Sequence, residues 1–496
     1  MVLSQSGAPR GRFTDPVDPE SALPTSATAL RAEDSALGQG TVVDGDVDSR
    51  WGSTLLGTLA AMLGLAVVSA WIQAAYFGVN VAASLSYWGK DGWCPQGTSG
   101  LGAHCWGDYA AIRFSSLASL PVGPEAVYPV SSRLLRIPFF IVDSVAGFQT
   151  GLVLFMAVSI VCVLSPALWA VRGMSWANKS LVIVLGCVAT APFLITLDRG
   201  NMIALVVPVF LIFLLGLIRD QPWLAAWAVV VASTVKPQFA VLGLALIALR
   251  FWLPALLALL GSLVVTLVPY WLFFGSRGAS ALEKWIHELG SFSDSQSLSA
   301  AWPTNLSLPG ALARSFGLGE SLSVMIVVGL AGLVTIAVLA RGPRLHPLLI
   351  GTVFMVMASL VSPISYAYYG VFLIPLVAVI FRLGPRNWPR VGSINQAITV
   401  LMTAGIVLGL TPLLIPTGKA ALKMDTAITT QPGTALIVGS LVPLLAAIAW
   451  LALFVAVIVR AIWMEQTTEP GATPSAEDLP VSTRVSTQES VANGRF

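Results

Sequence analysis

The chain has 496 residues, 56% of them hydrophobic and only 10% charged, with a mean hydropathy of +0.82. A soluble domain carries about a quarter charged residues, so this balance excludes a soluble enzyme or binding module and describes an all-α polytopic membrane protein. The net charge of +3 decides little by itself; its distribution over the loops decides more, because cytoplasmic loops are enriched in Lys and Arg.

Residues 1 to 50 are polar, rich in Ser, Thr, Gly and Pro, and carry eight acids from Asp15 to Asp48, a composition that reads as a disordered tail. No basic stretch followed by an apolar one opens the chain, so the first apolar run, about Ser53 to Ala74, is expected to be an uncleaved anchor. A hydrophilic excursion from Tyr76 to about Asp143 contains Trp88, Trp93, Trp106, Tyr109, Tyr128, Cys94 and Cys105, and ends in RLLRIPFFIV, whose pattern suits a helix lying in the membrane interface.

Six further apolar runs are read at about Ala146 to Val171, Ser180 to Thr196, Met202 to Ile218, Trp223 to Thr234, Phe239 to Ala248 and Trp252 to Phe274. The runs flanking the Arg219-Asp220 turn form a hairpin, each expected to cross the ~30 Å hydrocarbon core. Its two free ends carry Asp198-Arg199 and Lys236, costly charges at one membrane boundary that mark a site unless they merely snorkel. The two pieces around Lys236-Pro237 are short, as in a broken or shallowly inserted helix. A second loop, Gly275 to about Glu320, precedes runs at about Leu322 to Ala340, Leu348 to Leu360, Tyr369 to Phe381, Ile398 to Ile415 and Ala435 to Val459. The count is about twelve, occupying residues 51–460, with a second disordered tail over 461–496.

Loop charges give an independent layout. Arg172, Lys179, Arg219, Arg250, Arg341, Arg344, Arg382, Arg386 and Arg390 fall in one set of alternate loops, the expected cytoplasmic face. The two long loops (about 76–145 and 275–320) and the Asp198, Lys236 and Ser362 to Tyr368 turns then lie outside, with both tails in the cytoplasm. Cys94 and Cys105, the two cysteines outside the spans, share one outer loop and are expected to form a disulfide; Cys162 and Cys187 are expected to pack as small apolar residues.

No P-loop, dinucleotide fingerprint or nucleophile elbow appears in a credible context, and no basic aromatic patch suggests nucleic acid. With only His104, His287 and His346, a His-rich metal site is not expected, nor is a cofactor. The polar groups of interest are Asp108, Arg133, Arg136, Asp198, Arg199, Lys236, Glu283, His287, Glu288, Gln296, Asn305, Arg314, Tyr366, Tyr368 and Tyr369. Plainer readings compete: Arg133 and Arg136 as headgroup anchors, Glu283 and His287 as a solvated helix face, Asp143 as a helix cap, the tyrosines as an aromatic belt.

The order YPVSSRLLRIPFF, DRGN opening a span, KPQ, SQSLS with a downstream Arg, then SPISYAYYGVFLIP resembles glycosyltransferase family 87 over about residues 51 to 460. That resemblance implies a GT-C-type fold and transfer of mannose or arabinofuranose from a polyprenyl-phosphate donor to an actinobacterial envelope glycolipid or glycan, at the outer face of the plasma membrane. It implies Asp108 in the first loop as the acid of the site, Arg199-Gly200-Asn201 as the polar opening of a span, Lys236-Pro237-Gln238 as its Lys-Pro turn, and Gln296 with Arg314 in the second loop. Where many members read Ser-Trp-x-His-His, this chain reads Ser365-Tyr366-Ala367-Tyr368-Tyr369, a departure that leaves any role of those histidines lost, taken by tyrosine or moved to His287.

A phosphate leaving group needs no general acid, so an inverting transfer asks for one carboxylate base, here Asp108, and cations for the phosphate, here Arg199, Lys236, Arg133 and Arg136. Asp198 is the weaker base because Arg199 adjoins it. Tyr109, Asn201, Gln238, His287, Gln296, Asn305, Tyr366, Tyr368 and Tyr369 are the expected substrate contacts, and no metal is required. The competing class is a secondary transporter or lipid-linked-sugar flippase, which also uses broken helices and buried charges; a scaffold with a dead site is a third reading. The tryptophan-bearing loops favour the enzyme, because sugar rings stack on aromatic faces.

Overall fold

The computed structural model describes residues 49–77, 108–109, 128–295, 307–362, 365, 367–383, 393–411 and 432–466, and among these there is no strand. The cysteine pair at 94 and 105, together with Gln296, Asn305 and Tyr366, lies outside the described residues. The N-terminal tail does so too, apart from its last two residues, which open the first helix.

The helices are α1 (Ser49–Phe77), α2 (Ser132–Ala146), α3 (Phe148–Ala170), α4 (Trp176–Ile183), α5 (Ala191–Arg199), α6 (Ile203–Ile218), α7 (Pro222–Val235), α8 (Gly243–Ala248) and α9 (Trp252–Phe274). They continue with α10 (Gly278–Ser295), α11 (Leu308–Phe316), α12 (Glu320–Arg341), α13 (Pro347–Leu360), α14 (Leu373–Leu383), α15 (Ser393–Leu410) and α16 (Pro432–Gln466). Among the described residues six stretches are long and apolar enough to cross a membrane: 51–69, 148–170, 252–287, 320–344, 393–410 and 444–463. Where described, the apolar runs read from the sequence fall mainly on helix, so the chain is an all-α polytopic membrane protein. The stretch assigned to a second loop is largely helical where described, as α10 and α11.

Length is where the expectation fails. The run from Ser180 to Thr196 is not one straight helix: a π-helical turn at Val184–Val188 and a 64° bend separate α4 from α5, which restarts with Pro192 in its first turn, where a missing N–H costs nothing. The hairpin helices α6 and α7 have 16 and 14 residues, roughly 24 and 21 Å at the α-helical rise, each short of the ~30 Å core. Hydropathy misjudged them because it cannot tell lipid from protein. Nearly every position of α6 is buried, including Val206, Phe210, Phe213, Leu214 and Leu217, so it is apolar on all sides through contact with neighbouring helices. Protein on all sides also tolerates the irregular backbone after Val235, where Lys236 is extended and Pro237–Leu242 forms a 3₁₀ turn before α8.

Contacts sort the turns into two ends. At one, Ser131 Oγ donates to Thr234 O at 2.9 Å, Gln238 Nε2 to Ala358 O at 2.7 Å and Thr196 Oγ1 to Tyr368 O at 3.3 Å. These bonds gather the start of α2, the ends of α5, α7 and α13, and the turn before α14. At the other end Arg382 Nη1 donates to Arg172 O at 2.9 Å, and Gly342 packs directly on the Ala248 carbonyl. The basic loops of residues 172, 250, 342 and 382 therefore share one end, as their charges required.

Candidate active site

The helix α5 ends in a left-handed Gly200 (φ 62°), a conformation glycine adopts without Cβ strain, and this reversal sets Asn201 between α5 and α6. Asn201 is fully buried; its Oδ1 accepts from Ile203 N at 2.9 Å, satisfying one of the open donors at the start of α6. Its Nδ2 donates to Asp108 Oδ2 and to the Tyr128 hydroxyl, each at 2.6 Å. Arg199 Nη2 meets Asp108 Oδ1 at 3.0 Å, with both side chains 13% exposed. Lys236, at the far end of the hairpin, is 5% exposed; its Nζ lies 5.1 Å from the Tyr128 ring centroid and 4.7 Å from that of Tyr369. Two aromatic faces partly replace the water that this ammonium has lost.

The two ends of the hairpin thus meet on Tyr128, which the sequence reading had left among the loop aromatics. The signal was its place at the head of YPVSSRLLR, directly before the interfacial helix. Burial pushes the Tyr128 phenol well above its usual pKa; Asp108 and Tyr369 add to the shift, while Arg199 and Arg136 oppose it.

Behind Asp108 stands a second network. Tyr109 is fully buried against Phe155 (4.9 Å between ring centroids) and donates from its hydroxyl to Asp143 Oδ1 at 2.8 Å. Arg136 Nη2 donates to Tyr109 O at 2.8 Å, and its guanidinium lies 5.0 Å from the Tyr109 ring centroid. Arg133 sits 5.8 Å from the Phe274 ring centroid. Both arginines are therefore turned inward, 6% and 7% exposed, and the headgroup-anchor reading is wrong for them. Asp143 does not cap the next helix either: the N-cap of α3 is Gly147, and the Asp143 carboxylate serves Tyr109.

Tyr109, Asn201 and Gln238 each hydrogen-bond a protein partner, Asp143, Asp108 and the Ala358 carbonyl respectively. Tyr368 and Tyr369 are 5% and 2% exposed and stacked at 4.9 Å, a buried wall and not an aromatic belt. Glu283 and His287 are exposed on α10, whose opposite face buries Ala281 and Trp285 against Tyr270 and Phe274. Cys162 and Cys187 are free, and Cys187 is buried, as small apolar residues would be. The neighbour that argued against Asp198, Arg199, is in fact the partner of Asp108.

The Tyr109–Asp143 bond needs a glycine beside it. A Cβ on Gly151 would meet Asp143 Oδ1 at 1.7 Å and Tyr109 Oη at 2.9 Å. Gly151→Ala is expected to displace the Asp143 carboxylate and lower stability by about 1–3 kcal/mol, the usual range for overpacking. Thermal unfolding of Gly151→Ala, Asp143→Ala and the double variant checks this; strictly additive losses would show that the two positions do not compete for space.

Residues 126–363 match the family model of glycosyltransferase family 87. That stretch, just under half of the chain, carries a glycosyltransferase family 87 domain. No curated protein and no solved structure matches the chain. The match supports a membrane glycosyltransferase, and the matched stretch holds Tyr128, Arg133, Arg136, Arg199, Asn201 and Lys236. Asp108 and Tyr369 lie outside the match, one on each side. They are joined to the family 87 stretch by the Arg199 and Asn201 bonds and by the Lys236 contact respectively.

Proposed function

We propose that this glycosyltransferase moves a mannosyl or arabinofuranosyl unit from a polyprenyl-phosphate donor to a cell-envelope glycolipid or glycan, with inversion, at the extracytoplasmic face of the plasma membrane. The observation that carries the reading is the convergence of one carboxylate, one part-buried cation and one buried cation, Asp108 with Arg199 and Lys236, at one end of an apolar helical bundle. A lipid-phosphate sugar presents its chain to the bilayer and its anionic head to such a boundary, where each phosphate contact compensates a cation that is costly to bury.

Asp108 is the general base in this reading. A carboxylate has about four lone-pair sites, and Arg199 and Asn201 occupy one on each oxygen, so room remains for an acceptor hydroxyl. The acceptor oxygen attacks the anomeric carbon as the bond to the phosphate oxygen breaks; its proton goes to Asp108, and the electron pair stays on the phosphate. Lys236 offsets that charge electrostatically, so the chemistry has no formal need of a metal, cofactor or nucleotide.

Purified protein incubated separately with polyprenyl-phosphate mannose and polyprenyl-phosphate arabinofuranose, plus a membrane glycan extract, is expected to consume one donor. Consumption of neither in detergent, where transport has no meaning, would favour the flippase. The site should also face outward, with both termini cytoplasmic. Single cysteines at positions 296 and 344, probed with an impermeant thiol reagent, are expected to label from outside at 296 only; the reverse pattern would invert the topology.

A further inference from the structure

The direction of the hydrogen bonds around Asn201 is fixed by the backbone. Because Oδ1 accepts from Ile203 N, the edge facing Asp108 and Tyr128 is the amide nitrogen, which has two hydrogens and no acceptor capacity. One hydrogen goes to Asp108 Oδ2 and the other to the Tyr128 oxygen. Tyr128 Oη is therefore the acceptor in that bond, and its own hydrogen must point elsewhere. Among the described residues no acceptor receives it, although Tyr128 is only 8% exposed. A buried donor left unmade is expensive, and here it has a neighbour in the same condition. Lys236 Nζ meets the faces of Tyr128 and Tyr369, and among the described residues no carboxylate lies within ion-pair distance of it. Two idle donors, one of them a cation, at a single aromatic wall beside the Asp108 carboxylate call for an anionic oxygen ligand.

We propose that the Tyr128 hydroxyl donates a hydrogen bond to the leaving phosphate oxygen of the lipid-linked sugar, beside the charge of Lys236. The assignment rests on the function proposed above. In the transfer the new bond from the acceptor oxygen to the anomeric carbon forms as the bond from that carbon to the phosphate oxygen breaks. The electron pair remains on the phosphate, which passes from one negative charge to two, while the acceptor proton goes to Asp108. Tyr128 keeps its proton throughout and shares it most strongly with the oxygen on which charge grows, so its contribution is larger in the transition state than in the bound substrate.

Tyr128→Phe keeps the ring under Lys236 and removes only the hydroxyl. With a polyprenyl-phosphate sugar as donor, kcat is expected to fall about 10²-fold, the usual loss on removing one donor to a developing oxyanion, with a smaller change in donor KM. Fluorinated tyrosines at position 128 provide the second measurement, since a more acidic phenol is a stronger donor and the rate should rise along the series; a merely structural hydroxyl would not follow acidity. A wild-type rate in Tyr128→Phe, or rates independent of fluorination, overturns the assignment while the enzyme reading stands. A wild-type protein that consumes no lipid-phosphate sugar overturns the enzyme reading itself.

Discussion

Asp108→Asn is expected to lower turnover by about 10²-fold or more while donor affinity stays nearly intact, because general base catalysis is typically worth ~10² to 10⁴. The substitution preserves size. It also preserves one acceptor oxygen, which can serve either Arg199 Nη2 or Asn201 Nδ2, but it turns an amide NH₂ toward the other donor. Some local loosening is therefore built into the variant, and the measurement has to separate it from the chemistry. Donor dissociation constant and thermal unfolding report the loosening; single-turnover transfer with saturating donor reports the base. The prediction requires a large loss in the last of these with small changes in the first two. Transfer at the wild-type rate would remove Asp108 from the chemistry and make Asp198 or Glu288 the next carboxylate to test.

Lys236→Met should do the opposite, weakening donor binding while leaving the protein at least as stable. The ammonium is 5% exposed and faces two rings, so the fold carries a charge whose lost hydration is only partly made good by cation–π contact. Replacing it with an unbranched apolar chain of similar length relieves that cost. For the donor the same change removes a desolvated cation from an anionic group, a loss of about 2 kcal/mol or more, or about 30-fold in Kd. A stability gain coupled to an affinity loss is the signature of a residue kept for function. Arg199 should not behave this way, because its charge is already matched by Asp108. Unchanged donor Kd in Lys236→Met would take the end of the hairpin out of the phosphate site.

Membrane class, the positions of the helices and the partition of the turns into two ends were legible in the sequence because each rests on a local property. Apolar runs are local, and so are the Arg-rich turns at residues 172, 219, 250, 344 and 382. The pairing of the hairpin ends was legible for the same reason, since Arg199 and Lys236 lie at the ends of two consecutive apolar runs joined by a short turn. The family 87 stretch announced itself through ordered short motifs rather than through any single one.

What depended on packing was not legible. Whether an apolar run faces lipid or protein makes no difference to its composition, which is why α6 and α7 read as full spans although both are shorter helices, α6 enclosed by its neighbours and α7 buried along one face only. The inward turn of Arg133 and Arg136 was hidden for a related reason: an amphipathic helix shows that it has a polar face, not what covers it. The site partners are further apart still. Asp108 meets Arg199 across 91 residues and Asn201 across 93, and Tyr109 meets Asp143 across 34. No periodicity links positions so distant. The sequence by itself therefore determined an all-α membrane protein with charged residues gathered at one end of a hairpin. Only the tertiary structure decided that Arg199 neutralises Asp108 and that Lys236 rests on Tyr128 and Tyr369, because those pairings arise when separate helices bring their ends together.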